Sequence, residues 1–420
     1  MISQFKKNLM ALYLLQGTNY LIPLITVPYV VRVLGPHNFG VLMFATSFIQ
    51  YFIVLTDYGF NLTATQAVSV HRTDPDKLGQ IFSSVMLAKA LLMLVGLLLM
   101  IALSPAIAPL RQQFVLYLIL YLTVVGNVLF PVWMFQGLEQ MGFISGINIV
   151  VRLLVMVGTF ALIHKPDDYV LLAMLQAGGS ALGGVLALLL LPKVAPSLTI
   201  RMPSAGSVLA VFKDGWHVFV SMSSISLYTT SNTFILGLIA GPKAVGYFSA
   251  ADKIFRAMQG IMSPVSQAVF PHIATLAAQG KEGALRALRR LLRLQGVGTF
   301  VISAGLLIFA PQIVHTLFGT DYDETVRLVE WMSFLPFAIG LSNVFGIQTM
   351  LNFGMKRSFS RILLVSGLLN IAIIIPLIYA MGGEGAAISV LVTEVVVTLT
   401  MAWTLHRWGL LAGLLLARTE

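Results

Sequence analysis

The chain has no cysteine, and only 10% of its 420 residues are charged. Without thiols there can be no disulfide framework and no thiolate metal site. So little charge excludes a soluble globular fold, which typically carries about 25%. No G-x-x-x-x-G-K-[ST] stretch occurs, so the chain has no P-loop with which to hydrolyse ATP. Nor is any link between apolar runs long enough for a soluble catalytic or nucleotide-binding domain. No small-residue cleavage site follows the first apolar run, which is therefore expected to stay as a span. What is present is hydrocarbon: 58% of residues are hydrophobic and the mean hydropathy is +0.90. That composition reads as an all-α polytopic membrane protein, with no cofactor and no nucleic-acid partner.

Twelve apolar runs are long enough to cross about 30 Å of hydrocarbon at a rise of about 1.5 Å per residue. They cover 9–31, 40–62, 81–104, 114–135, 145–164, 169–191, 212–238, 247–270, 294–317, 328–352, 361–380 and 384–405. The fifth, eighth and tenth are the least continuous. With the N-terminus in the cytoplasm, 17 Lys and Arg fall in cytoplasmic segments or, as Lys213 and Arg361, at the inner ends of spans, 5 in outer segments and 4 deeper within spans. This bias predicts both termini inside, and it accounts for the net charge of +10 without nucleic acid. The longest cytoplasmic links are 192–211, a proline-punctuated tether, and 271–293. The second holds K-E-G-A-L-R-A-L-R-R-L-L-R from Lys281 to Arg293, leucines at helical spacing with arginines between them. It reads either as a basic amphipathic helix on the anionic inner leaflet or as a solvated start to the ninth span.

One stretch is echoed. R-V-L-G-P-H-N-F-G, Arg32 to Gly40, lies between two apolar runs, and G-P-K-A-V-G, Gly241 to Gly246, lies between two others 206 residues later. The match predicts an internal duplication: six-helix bundles at 1–192 and 212–420 joined by a cytoplasmic linker, 193–211. An even number of spans per copy predicts a pseudo-two-fold axis along the membrane normal. Each G-P-x-x-x-G is expected at an outer turn, where glycine permits positive φ and proline presets the following helix. Arg32 there is placed either to reach phosphates or carboxylates, or to snorkel to headgroups. Pro23, Pro28, Pro131, Pro264, Pro271, Pro336 and Pro376 mark expected kinks.

Charges inside spans carry the functional argument, because each costs at least about 2.5–3.5 kcal/mol on insertion scales and so faces a bundle interior or water. Lys89 and Arg152 are candidates to line a cationic cavity, with an ion pair to Asp57 or Glu394 as the competing reading for either. Asp252 and Arg256 are spaced to pair across one helical turn, while Lys253 lies off that face. Buried basic residues suit a phosphate or pyrophosphate, which Arg meets as a fork and Lys as a point charge. Tyr20, Asn61, Asn127, Trp133, Gln136, Gln176, Tyr228, Asn232, Gln267, Asn343, Gln348 and Asn352 are placed to touch sugar rings or to bond between helices.

The runs P-Y-V-V-R-V-L-G-P-H-N-F-G (Pro28–Gly40), T-D-Y-G-F-N-L-T-A-T (Thr56–Thr65), G-P-K-A-V-G-Y-F-S-A-A-D-K-I-F-R (Gly241–Arg256) and P-V-S-Q-A-V-F-P (Pro264–Pro271) are present. On these the chain resembles the bacterial O-antigen flippases of the multidrug/oligosaccharidyl-lipid/polysaccharide exporter superfamily. The resemblance implies two six-helix bundles facing each other in a V around a basic central cavity. It implies a transporter, not an enzyme, in the bacterial inner membrane, moving an undecaprenyl-pyrophosphate-linked glycan from inner to outer leaflet. An O-antigen polymerase and a chain-length regulator are the partners it suggests, beside membrane lipids. By position Arg32, Lys89, Arg152, Lys253 and Arg256 would bind cargo. Asp57, Asp252 and Glu394 are the carboxylates available for proton or sodium coupling, with removal of product outside as the other energy source.

Two other functions are weighed. A cation-coupled exporter of drug-like cations would want buried carboxylates and aromatic walls. A polymerase or ligase would want a large outer loop with clustered catalytic Arg or His, and every outer loop here is short.

Overall fold

Hydrocarbon offers the backbone no water, so a spanning chain satisfies its peptide groups internally. The computed structural model describes the backbone of residues 2–196, 198, 199 and 201–415, and there it contains helices and no strand. Side chains are described from residue 22 onward in that range, apart from 221, 224, 225, 227–229, 261–265, 267, 268, 271 and 415. The side chains of Lys6, Lys7, Tyr20, Tyr228, Pro264, Gln267 and Pro271, and all of Arg418, lie outside the described residues.

In chain order the helices are α1 (Ile2–Asp57), α2 (Phe60–Val70), α3 (Pro75–Leu103), α4 (Ala108–Gln112), α5 (Phe114–Leu129) and α6 (Val132–Gly137). Then come α7 (Met141–Leu162), α8 (Tyr169–Val194), α9 (Ala205–Gln279), α10 (Lys281–Ile308), α11 (Ala310–Phe318) and α12 (Asp323–Met332). The last are α13 (Leu335–Ser342), which runs into a π-helical stretch Asn343–Met350, then α14 (Lys356–Met381), α15 (Gly383–Arg407) and α16 (Leu411–Leu415).

Among the described residues, 10 helical stretches are long and apolar enough to cross a membrane. Two are interrupted by a glycine of positive φ within one long helix. Ile22–Val70 is interrupted at Gly35, and Thr230–Gly260 is interrupted at Gly241 with α9 continuing on both sides. α1 and α9, at 56 and 75 residues, each have the length for two crossings, one on either side of the glycine, in keeping with twelve spans. The echoed sequence is thus an echoed backbone: Gly35 sits at φ 68°, ψ 170° and Gly241 at φ 80°, ψ 178°. That region is essentially closed to any residue with a Cβ. Pro36 and Pro242 follow, each supplying the preset φ of a helix start.

Contacts divide the chain into two compact units, Met1–Leu34 with Val41–Ser226, and Gly35–Gly40 with Leu227–Glu420. In the first, small residues let helices close up, as expected where lipid supplies no hydrophobic drive between them. A Cβ at Gly126 of α5 would collide with Ser180 of α8, and one at Gly179 with Val155 of α7. Trp133, Phe82, Phe135 and Ala187 centre its core. The far side of α3 turns Leu91, Leu94 and Leu98 outward, as a lipid-facing surface does.

The second unit packs Leu288, Leu291, Val344, Met350, Leu405 and Leu414 into its core. It includes the Gly35–Gly40 hexapeptide because that segment interlocks with Gly241–Gly246. A Cβ at Gly40 would fall on the Pro242 carbonyl, and a Cβ at Gly246 on the Pro36 carbonyl. The link 271–293, expected between spans, is helical except at Gly280: α9 reaches Gln279 and α10 begins at Lys281.

Candidate functional site

In the first unit, two spans break near one lysine. α1 ends at Asp57, and Tyr58 (φ 43°) and Gly59 (φ 79°) turn the chain into α2. The Tyr58 ring stacks on Phe219 at 4.5 Å and meets Phe212 edge-on at 5.2 Å, which anchors the turn. α5 ends at Leu129, and Phe130–Pro131 redirect the chain into α6. From α3, Lys89 places its ammonium between these breaks. Its Nζ lies 3.3 Å from Asp57 Oδ1 and 3.4 Å from both the carbonyl and the side-chain oxygen of Asn127. Lys89 is 1% exposed and Asp57 30%. Of the two readings for Lys89, the ion pair with Asp57 is the one formed. Irregular backbone at membrane depth is tolerated where it is buried in protein or lines water, and this cluster is such a place.

Arg152 on α7 did not find a carboxylate. It is half-buried and makes no hydrogen bond or ion pair within the described residues. Helical spacing puts it on one stripe with Ser145, Asn148 and Thr159, while Val150, Leu154 and Val157 of the same helix are exposed on another side. The buried Ser145 hydroxyl has no partner either.

In the second unit a cavity of about 330 Å³ is lined by α9, α13, the π-helical stretch, α14 and α15. Asp252, Arg256 and Glu394 all reach it. The Arg256 Nε donates to Asp252 Oδ2 at 2.6 Å, the pairing that their spacing predicts. Arg256 is 58% exposed and Asp252 24%. Glu394 has no ion-pair partner among the described residues; the Ser342 hydroxyl donates to its Oε1 at 2.7 Å. The wall is rich in acceptors: Asn232 Oδ1 and Asn370 Oδ1 are buried with no hydrogen bond. Asn370 donates to Thr393 Oγ1 at 3.0 Å.

Lys253, next to Asp252, is half-buried, does not line this cavity and has no ion pair among the described residues. Arg32 is exposed, one helical turn before Gly35. The structure therefore gathers Asp252, Arg256 and Glu394 at one place and Lys89 with Asp57 at another. Sequence reasoning missed Ser342, Asn370 and Thr393 as cavity residues. Their signal was a polar residue recurring inside apolar runs, which is equally the signal of hydrogen bonds between helices. Among the described residues no cluster of His, Cys, Asp and Glu could hold a metal ion.

Three kinds of likeness bear on identity. The family model described as polysaccharide biosynthesis protein matches residues 5–277. The relative named "Putative O-antigen transporter" from Escherichia coli (strain K12) is 37% identical over 399 residues, covering 94% of this chain and 95% of its own. Among solved structures, the lipid II flippase MurJ in an inward closed conformation aligns with a TM-score of 0.70 at 14% identity, over 99% of this chain and 90% of its own. An inward-facing multidrug resistance MATE family transporter of the MOP superfamily aligns with a TM-score of 0.67 at 14% identity, over 93% and 95%. At that identity the last two establish the fold alone, an all-α polytopic fold. The family match and the E. coli relative go further: the chain belongs to the polysaccharide biosynthesis protein family, and with ten candidate spans among the described residues and a relative named as a transporter it is a multi-pass membrane transporter rather than an enzyme.

Proposed function

We propose that this protein is a flippase for a lipid-linked oligosaccharide. It moves an undecaprenyl-pyrophosphate-linked O-antigen unit from the inner to the outer leaflet of the bacterial inner membrane by alternating access. The lobes are 1–192 and 212–420, tethered by 193–211, with both termini in the cytoplasm. The family match and the E. coli relative support transport of a lipid-linked glycan. The observation that carries the anionic cargo is the imbalance of charge partners. Asp57 is occupied by Lys89 and Asp252 by Arg256, whereas Arg152 and Lys253 form no ion pair among the described residues. An unpaired cation within a span calls for an anion, and a pyrophosphate supplies it. A drug-cation exporter would want free carboxylates, of which the cavity offers one, Glu394, against these two cations without an ion pair.

On this reading Arg152 in the first unit and Lys253 in the second are each a candidate to meet the pyrophosphate, Arg32 and Arg256 offer further positive charge, and Lys89 is held as a fixed counter-charge to Asp57. Glu394, which accepts from a hydroxyl and has no ion pair among the described residues, is the first candidate for proton or sodium coupling, ahead of Asp57 and Asp252. An O-antigen polymerase and a chain-length regulator would receive the product. The test is reconstitution with a pyrophosphate-linked glycolipid and measurement of its leaflet accessibility. Arg152→Gln with Lys253→Gln is expected to slow flipping at least about 10-fold, the cost of roughly one charge-assisted contact. Flipping at the unaltered rate would remove the basis for the anionic-cargo reading.

A further inference from the structure

The basic segment Lys281–Arg293 left two readings open, and the structure takes neither as it stands. Its leucines do not face lipid: Leu285, Leu288 and Leu291 are buried in the core of the second unit with Leu410 and Leu414. Arg289 is turned inward as well, its Nη2 donating to the Gly413 carbonyl at 2.8 Å, which closes α16 onto α10. The remaining arginines are not simply a solvated helix start either. Arg286, Arg290 and Arg293 are exposed and fall at i, i+4 and i+7, on one face. Continued along α10, that face carries Val297, Val301 and Ile308, which are 65%, 61% and 65% exposed. Those residues lie in a stretch apolar enough to cross a membrane. The same helix face is therefore cationic for its first three turns and hydrocarbon for the rest.

A face of this kind meets one environment. Where its apolar part lies against acyl chains, its arginines lie at the depth of the headgroups, within reach of phosphate oxygens. None of the three makes an ion pair among the described residues, and their backbone is held by the buried leucines opposite. We infer that Arg286, Arg290 and Arg293 form a binding site for anionic phospholipid headgroups, continuous with the lipid-facing surface of α10. This differs from the rule that positive loops stay inside, which counts charges without regard to face. A site needs these three positions together. In the proposed topology the lipid belongs to the inner leaflet, but the site stands on the helix face and not on that orientation.

The test is lipid binding by the full-length protein in nanodiscs of phosphatidylcholine titrated with phosphatidylglycerol, read as the rise in unfolding temperature and as lipid adducts retained in native mass spectrometry. The same lipid is present on both faces of a nanodisc, so the result is independent of topology and of the cargo. At about 1 kcal/mol per basic residue near an anionic surface, Arg286→Gln/Arg290→Gln/Arg293→Gln is expected to weaken the phosphatidylglycerol effect roughly 100-fold. Its unfolding temperature in pure phosphatidylcholine should match the unaltered protein. The triple Lys variant should retain most of the effect. The triple Lys356→Gln/Arg357→Gln/Arg361→Gln, which removes as much charge from other exposed positions, should leave it intact. Equal losses in the two Gln triples would overturn the site in favour of bulk charge. So would an undiminished effect in the first triple, or a response to pyrophosphate-linked glycolipid with none to phosphatidylglycerol.

Discussion

Gly40 and Pro242 are packed so closely that a Cβ on the glycine would coincide with the proline carbonyl, and Gly246 and Pro36 repeat the contact with the roles exchanged. Two copies of one hexapeptide thus lock onto each other through the residues that distinguish them in sequence. Gly40→Val or Gly246→Val must displace backbone and not merely a flexible side chain. Each is expected to cost on the order of 3 kcal/mol, seen as loss of monodisperse protein or a marked drop in unfolding temperature in detergent. Gly35→Ala and Gly241→Ala act differently, by straining the break itself, at about 1–3 kcal/mol each. Thermal unfolding of the four single variants checks both claims, and full stability of either valine variant would refute the interlock.

Lys89 and Asp57 are predicted to behave as a pair. Lys89→Met leaves a partly buried carboxylate without its cation, and Asp57→Asn leaves a fully buried ammonium without its anion. Each should lower stability by roughly 2–4 kcal/mol, with the double variant less destabilised than the sum. A double-mutant cycle on unfolding temperature measures the coupling. Additive losses would return Lys89 to the set of cargo-binding cations.

Glu394 is predicted to carry ion coupling. Glu394→Gln keeps the side chain's shape and an acceptor for Ser342, and removes the charge. The variant should fold with normal stability, while the acceleration of flipping by an imposed proton or sodium gradient should fall to a ratio of about 1. Flipping assays with and without each gradient decide the matter. An undiminished response would move coupling to another carboxylate.

Much of this was legible beforehand, for reasons that can be named. Gly35 and Gly241 stood out because one residue type serves a backbone that others cannot adopt. Asp252 and Arg256 were predicted to pair because helical spacing is local. Lys89 and Asp57 are 32 positions apart and meet only because α1 ends at Asp57, at a break that hydropathy averages over. The redirection at Phe130–Pro131 falls where Pro131 marks an expected kink, whereas the π-helical stretch Asn343–Met350 was hidden, since it occurs within an apolar run. Lys281–Arg293 showed its period but not its orientation: the sequence could not say whether leucines or arginines would face lipid. Ser342, Asn370 and Thr393 were invisible as cavity residues because neutral polar residues in spans serve packing as often as ligands.

The most direct test of the account is movement of a pyrophosphate-linked glycolipid by the purified, reconstituted protein. The glycolipid is supplied in one leaflet, its appearance in the other is followed by accessibility to an impermeant sugar-oxidising or lectin probe, and uptake of a cationic dye is measured in parallel. The account predicts protein-dependent transfer of the glycolipid and no dye transport. Dye transport without glycolipid transfer would contradict it.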